Sequence, residues 1–240
     1  MPAVLVIHGI TMSGPSQLRL LGPIADALRL QGLELVAPNA GVRLDDAAMK
    51  GLLAWVDRAY AARGQQATDF FNPGVFWEAE GSGARYDWFA SSTVDGQRIY
   101  AGLEPGLANI REAAAGKEIV GVLGFSQGCA MAGLVAGLAK AGHLPFGDSL
   151  RFAVLLAGFK PEFDEPAFDP SPWPVRDLPA LLAWGREDPV FPDEATIRKL
   201  AAEFTDPEVH VIDGLSHTVP QGPAWTARIA DFVRRQLAAA

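Results

Sequence analysis

One cysteine, Cys129, stands in a chain of 240 residues, which excludes an intramolecular disulfide and leaves no Cys/His spacing suited to a structural zinc. No apolar run approaches the roughly 18 residues that a membrane span needs. The opening Met-Pro-Ala-Val-Leu-Val-Ile-His also lacks the basic region and apolar length of a secretory leader. Positive charge is short: 20 Lys and Arg stand against 28 Asp and Glu, for a net charge of −8, and no basic stripe offers the clustered cations that phosphate-bearing partners require. Internal repeats and low-complexity tracts are absent. These gaps predict a cytoplasmic protein with no nucleic-acid partner, no stable membrane anchor, and no metal or other cofactor.

What the chain does have is apolar mass. Hydrophobic residues make up 49% of it, enough for one large α/β core spanning residues 1–240 and too little for two such domains. A short, wholly apolar, mostly β-branched run at Ala3–Ile7 suits a strand buried on both faces, and short, largely apolar runs recur at Leu33–Ala37, Val120–Phe125, Arg151–Ala157, Ala180–Trp184 and Val209–Ile212. Helical spacing separates most of them: Gln17–Leu30, Asp45–Arg63, Arg98–Ala115, Gln127–Ala141, Asp193–Phe204 and Pro223–Leu237. Two stretches break the alternation. Residues 65–95 are aromatic, glycine-bearing and without period, and residues 160–178 are rich in proline and acids; both are expected to be irregular insertions. Alternation of this kind implies a doubly wound, mainly parallel six-stranded sheet with helices on both faces, joined by right-handed crossovers.

The chemistry is concentrated where the third strand ends. Gly124-Phe125-Ser126-Gln127-Gly128 is a GxSxG pentapeptide between an apolar strand and a helix, the arrangement of a nucleophile elbow that exposes a serine oxygen at the top of a sheet. In parallel sheets of this type ligands sit beyond the carboxyl ends of the strands. Ser126 follows the third strand, Asp188 the fifth and His217 the sixth, so the serine, acid and histidine that acyl transfer requires all fall at that edge. Asp213, Asp177 and Asp193 compete with Asp188, but only Asp188 has a strand of its own from which a short loop can aim it at the histidine. His8, beside Gly9 at the end of the first strand, is expected to hold the loop whose Ile10 amide, with that of Gln127, faces a developing oxyanion. Cys129 reads as a small buried hydrophobe. Trp77, Trp88 and Phe89, with Phe159 and Val190 from later loops, are the candidate lining of an apolar acyl pocket.

Taken in order, Leu5-Val6-Ile7-His8-Gly9-Ile10, the Trp88-Phe89 pair followed by Gly102-Leu103-Glu104, Leu123 to Gly128, Ala157-Gly158-Phe159, Gly185 with Asp188, Val190 and Pro192, and His217 with Val219-Pro220 resemble the FSH family of serine hydrolases, a branch of the α/β-hydrolase fold. The resemblance implies a fold that starts at what larger hydrolases count as their third strand. It also implies an intracellular serine carboxylesterase, or thioesterase, acting on small-molecule acyl esters with a triad of Ser126, Asp188 and His217. The chain departs from that pattern at Leu215-Ser216, where relatives usually carry Gly-Gly, and in an enlarged aromatic segment from Gln65 to Ser82. A non-catalytic acyl-binding protein on the same fold, or an acyltransferase using the same residues, are the alternative readings.

Overall fold

The computed structural model describes residues 1–66, 85–162 and 168–239. The chain begins in strand β1 (Pro2–Ile7) and turns into helices α1 (Gly14–Leu21) and α2 (Pro23–Leu30). The sequence pattern predicts a single helix here. Pro23 has no N–H to continue the ladder, and Gly22 takes φ 48°, ψ −119°, so the run breaks in two. Strand β2 (Glu34–Val36), the two-residue strand β3 (Val42–Arg43) and helix α3 (Asp46–Ala61) follow. The Asp45 side chain caps α3 by accepting the Ala48 amide at 2.8 Å.

The region from 85 to 101 corrects two expectations. Tyr86–Asp87 forms strand β4, paired antiparallel with β3, and β5 (Ala90–Val94) and β6 (Gln97–Ala101) form a hairpin. Asp95 and Gly96, with φ 50° and 81°, make its two-residue turn, and an Asp-Gly pair is a strong local signal for that geometry. The expected irregular segment therefore ends in ordered strand, and the expected helix at 98 starts only at Glu104. Helix α4 (Glu104–Ala114) carries Pro105 in its first turn, where a missing N–H costs nothing.

Beyond it come β7 (Glu118–Phe125), α5 (Gln127–Lys140), β8 (Phe152–Leu156), β9 (Ala180–Gly185), α6 (Glu194–Ala201), β10 (Glu208–Ile212) and α7 (Pro223–Ala238). The main sheet runs β10-β9-β8-β7-β1-β2, and every neighbouring pair is parallel. The alternation of β1 divides the core. Ala3, Leu5 and Ile7 face one layer with Leu107 and Ile110 of α4 and Leu134 of α5, while Val4 and Val6 face the other with Ile24 and Leu28 of α2 and Phe232 of α7. Each of these side chains is fully or almost fully buried, and each Val, Leu, Ile or Phe among them contributes roughly 1.5–3 kcal/mol before entropy is charged against it. Both layers anchor the strand ends on which the site is built. No helix among the described residues is long and apolar enough to cross a membrane.

Candidate active site

Ser126 sits alone between β7 and α5 with φ 57° and ψ −123°, a backbone conformation that L residues rarely adopt and that surrounding structure must hold. Backbone hydrogen bonds do so. The Ser126 amide donates to the Leu156 carbonyl at 2.9 Å, and its carbonyl accepts from the Cys129 amide at 3.0 Å. The flanking glycines permit the crossing: a Cβ on Gly124 would lie 2.0 Å from the Gly128 carbonyl oxygen, and one on Gly128 would lie 2.2 Å from that of Ile7. Cys129 is fully buried, and burial pushes its thiol pKa far above the ordinary value, which leaves it an inert packing group.

Three distant loops meet at this serine. His217 Nε2 stands 2.9 Å from Ser126 Oγ, and His217 Nδ1 stands 2.7 Å from Asp188 Oδ2. A carboxylate can only accept, so Nδ1 carries the proton and Nε2 is left with a lone pair toward the serine hydroxyl. The other Asp188 oxygen accepts from the amides of Val190 at 2.8 Å and Phe191 at 2.9 Å, which fixes the plane of the carboxylate. The imidazole is held between the rings of Phe125 and Phe191, at 5.1 and 5.3 Å between centroids. All three polar residues are buried, Asp188 completely. The competing acids lie elsewhere: Asp213 pairs with Arg186 on the surface at 2.5 Å, and Asp193 caps α6 through the Ala195 amide.

Beside the serine, the amides of Ile10 and Gln127, two residues that line the space over it, have no acceptor among the described residues. The loop bearing Ile10 is fastened from several directions. His8 accepts the Ala40 amide on Nε2 at 3.0 Å and donates from Nδ1 to the Gly9 carbonyl at 2.7 Å, while the Trp88 indole donates to the His8 carbonyl at 2.8 Å. Thr11 donates its amide to the Tyr86 carbonyl at 3.0 Å. Burial pushes the His8 pKa down to about 4, so the ring is neutral. The Gln127 side chain ties this edge together by accepting the Trp88 amide at 3.1 Å and donating to the Phe89 carbonyl at 3.1 Å and to Asp87. Asp87 is mostly buried, and desolvation raises its pKa against the opposing effect of the Gln127 bond.

A cavity of about 240 Å³ opens over Ser126, Gln127 and Ile10. Phe89, Phe159 and Val190 line it as the sequence predicts, joined by Tyr100 and Phe191. Leu52 and Trp55 of α3 close it from above, and sequence reasoning missed both. Trp88 is a correction: it is fully buried, its ring lies tilted against His8 at 4.9 Å between centroids, and it supports the Ile10 loop instead of facing the cavity. Trp77 lies outside the described residues. Among the described residues no group of three or more His, Cys, Asp or Glu side chains is placed to hold a metal ion.

The model of a family described as serine hydrolase (FSH1) matches residues 1–229 of the chain. Over 116 residues the chain is 33% identical to Esterase OVCA2 of Danio rerio, an overlap covering 48% of this chain and 49% of that protein. Over 239 residues it is 26% identical to a dihydrofolate reductase of Schizosaccharomyces pombe, covering 96% of this chain and 46% of that protein. The chain thus spans about half the length of the curated relatives it matches. Among solved structures, acyl-protein thioesterase 2 of Zea mays superposes with a TM-score of 0.57 at 18% identity, covering 98% of this chain and 94% of that one. That likeness shows a shared α/β-hydrolase fold.

Proposed function

We propose, for a chain that belongs to the serine hydrolase family FSH1, that it cleaves carboxylic esters of apolar acyl groups through an acyl-enzyme formed on Ser126. The observation that carries this reading is the unbroken chain from Ser126 Oγ to His217 Nε2 at 2.9 Å and from His217 Nδ1 to Asp188 Oδ2 at 2.7 Å, at the floor of an apolar cavity. In this reading His217 takes the hydroxyl proton as Ser126 Oγ bonds to the ester carbonyl carbon. The carbonyl π electrons move onto oxygen, where the Ile10 and Gln127 amides stabilise them. The carbonyl then re-forms, the bond to the leaving oxygen breaks, and His217 returns the proton to that oxygen. Water, deprotonated by the same imidazole, releases the acid. Asp188 keeps the ring in the correct tautomer and stabilises the imidazolium; its full burial makes that interaction stronger than it would be in water.

A binding protein on this fold would have no use for a serine in a strained backbone conformation already bonded to a buried His–Asp pair, which favours catalysis over the binding reading. The acidic chain with one buried cysteine suits a cytoplasmic setting. The test is fluorophosphonate labelling followed by peptide mapping, together with turnover of simple alkyl esters. Stoichiometric modification at Ser126 and ester turnover are expected. Binding of acyl ligands with neither labelling nor turnover would refute the assignment.

A further inference from the structure

The space around Ser126 is divided unequally, and the division has a chemical direction. The cavity of about 240 Å³ touches Ser126 and Gln127 and is walled by Phe89, Tyr100, Phe159 and Phe191, but His217 does not line it. A second, more enclosed space of about 30 Å³ adjoins it at the same serine, lies against His217 and Phe125, and shares Ile10 and Val190 with the larger one. Val56 of α3, fully packed, and Thr11 bound this smaller space, and Leu52 and Trp55 roof both.

Proton transfer decides which part of a substrate goes where. The leaving oxygen must receive its proton from His217 Nε2, so it has to lie within hydrogen-bond reach of that atom, on the side that His217 lines. The acyl chain must then extend the other way, into the aromatic cavity. An apolar cavity of about 150 Å³ holds benzene, with six carbons. By that ratio the larger space has room for an acyl chain of about eight to ten carbons, and the smaller one for about a single carbon or a water molecule.

Resting on the hydrolase reading above, we infer that the site selects for the alcohol half as well as the acyl half: its substrates are oxygen esters of medium-chain acids with very small alcohols. Bulky thiols and large alcohols do not fit the His217 side while α3 is in place. The same limit bears on the second half-reaction. A space of one-water size beside His217 admits the hydrolytic water and refuses a large acceptor alcohol, which favours hydrolysis over acyl transfer.

The test measures kcat/KM of the full chain on methyl, ethyl and n-butyl octanoate and on the octanoyl thioester of a bulky thiol, with fluorophosphonate labelling run on the same preparation. The methyl ester is expected to exceed the butyl ester by about tenfold or more, since one methylene too many in a closed apolar site costs that much. These alkyl alcohols differ little in leaving ability, so the ratio reports fit. Leu52→Ala, which opens the roof at a half-buried position, is expected to bring the ratio to within about threefold, the size of a single lost contact. Butyl turnover equal to or faster than methyl, on enzyme whose Ser126 labels normally, would overturn this inference and leave the hydrolase reading standing. If no ester is turned over and Ser126 does not label, both are overturned.

Discussion

The indole N–H of Trp88 donates to the backbone carbonyl of His8 over 2.8 Å, and the two rings lie tilted against each other at 4.9 Å between centroids. His8 directly follows the first strand and Ile10 is two residues further on, so this bond sets the depth at which the Ile10 amide is presented to the space over Ser126. Trp88→Phe keeps an aromatic ring but removes the donor, and at this fully buried position it also leaves a void where the larger indole was. Leaving a buried carbonyl unpaired costs about 1–3 kcal/mol, which chemical denaturation should register. In the proposed mechanism the Ile10 amide is an oxyanion donor, and displacing it acts on the transition state more than on the bound ester. The expected result is therefore a ten- to hundredfold fall in kcat, about the cost of a sub-ångström misplacement, with little change in KM for a methyl ester. An unchanged kcat would show that the indole bond is only a packing feature.

Asp188 offers a sharper separation of roles. Asp188→Asn retains an oxygen to accept the Val190 and Phe191 amides, so the loop geometry survives. The amide nitrogen, however, presents a donor to His217 Nδ1 in place of an acceptor. The imidazole then carries its proton on Nε2 and has no lone pair for the Ser126 hydroxyl. A loss of about 10⁴ in kcat is expected from the wrong tautomer alone, with the thermal midpoint within a few degrees of the parent. A variant keeping more than a tenth of parental turnover would place the acid elsewhere.

Much of this arrangement was legible in the chain because it depends on local rules. The elbow has to be built from small residues around one serine, and Asp188 and His217 directly follow short apolar strands, where a parallel sheet puts its ligands. The roof of the cavity is of a different kind. Leu52 and Trp55 lie on a helix far from Ser126 in sequence, and their spacing is that of any half-buried amphipathic helix; only tertiary packing puts them over the serine. Trp88 was misplaced for the same reason, since an aromatic residue in an aperiodic stretch carries no mark of whether it faces a cavity or a backbone carbonyl. The hairpin was a different failure. Asp95-Gly96 between β-prone flanks announced a turn, and helical spacing further on obscured it.

The backbone conformation of Ser126 makes a separate prediction about stability. At φ 57° and ψ −123° a side chain crowds its own backbone, a strain of about 1–3 kcal/mol that the bonds to Leu156 and Cys129 sustain. Ser126→Ala and Ser126→Gly both remove the proposed nucleophile, and both should lower turnover by about 10⁴ to 10⁶. Their stabilities should differ. Glycine adopts this region without penalty, so Ser126→Gly is expected to be more stable than Ser126→Ala by about 1 kcal/mol in urea denaturation, after the greater flexibility of glycine in the unfolded chain is set against the relief. Equal midpoints, or a more stable alanine variant, would mean that the elbow stores no strain.

His8 ties the loop that carries Ile10 to acid stability. The ring is fully buried, and burial lowers its pKa from 6.5 to about 4. Between those values the unfolded chain takes up a proton at His8 and the folded chain does not, so the unfolded state binds more protons and stability falls as the pH is lowered through the window. Above pH 6.5 this residue contributes no slope. Each pKa unit corresponds to about 1.4 kcal/mol, so the full loss by pH 4 is about 3 kcal/mol. The measurement is the free energy of unfolding at half-unit steps from pH 7.5 to 4 for the parent and for His8→Gln, which cannot titrate. The variant starts lower, because it fits the Ala40 amide and the Trp88 ring less well. Its stability should nevertheless decline less steeply below pH 6.5, so that the two curves converge as the pH falls. Parallel curves would mean that the acid sensitivity of the fold arises from other groups and that His8 is protonated in the native state as readily as in the unfolded chain.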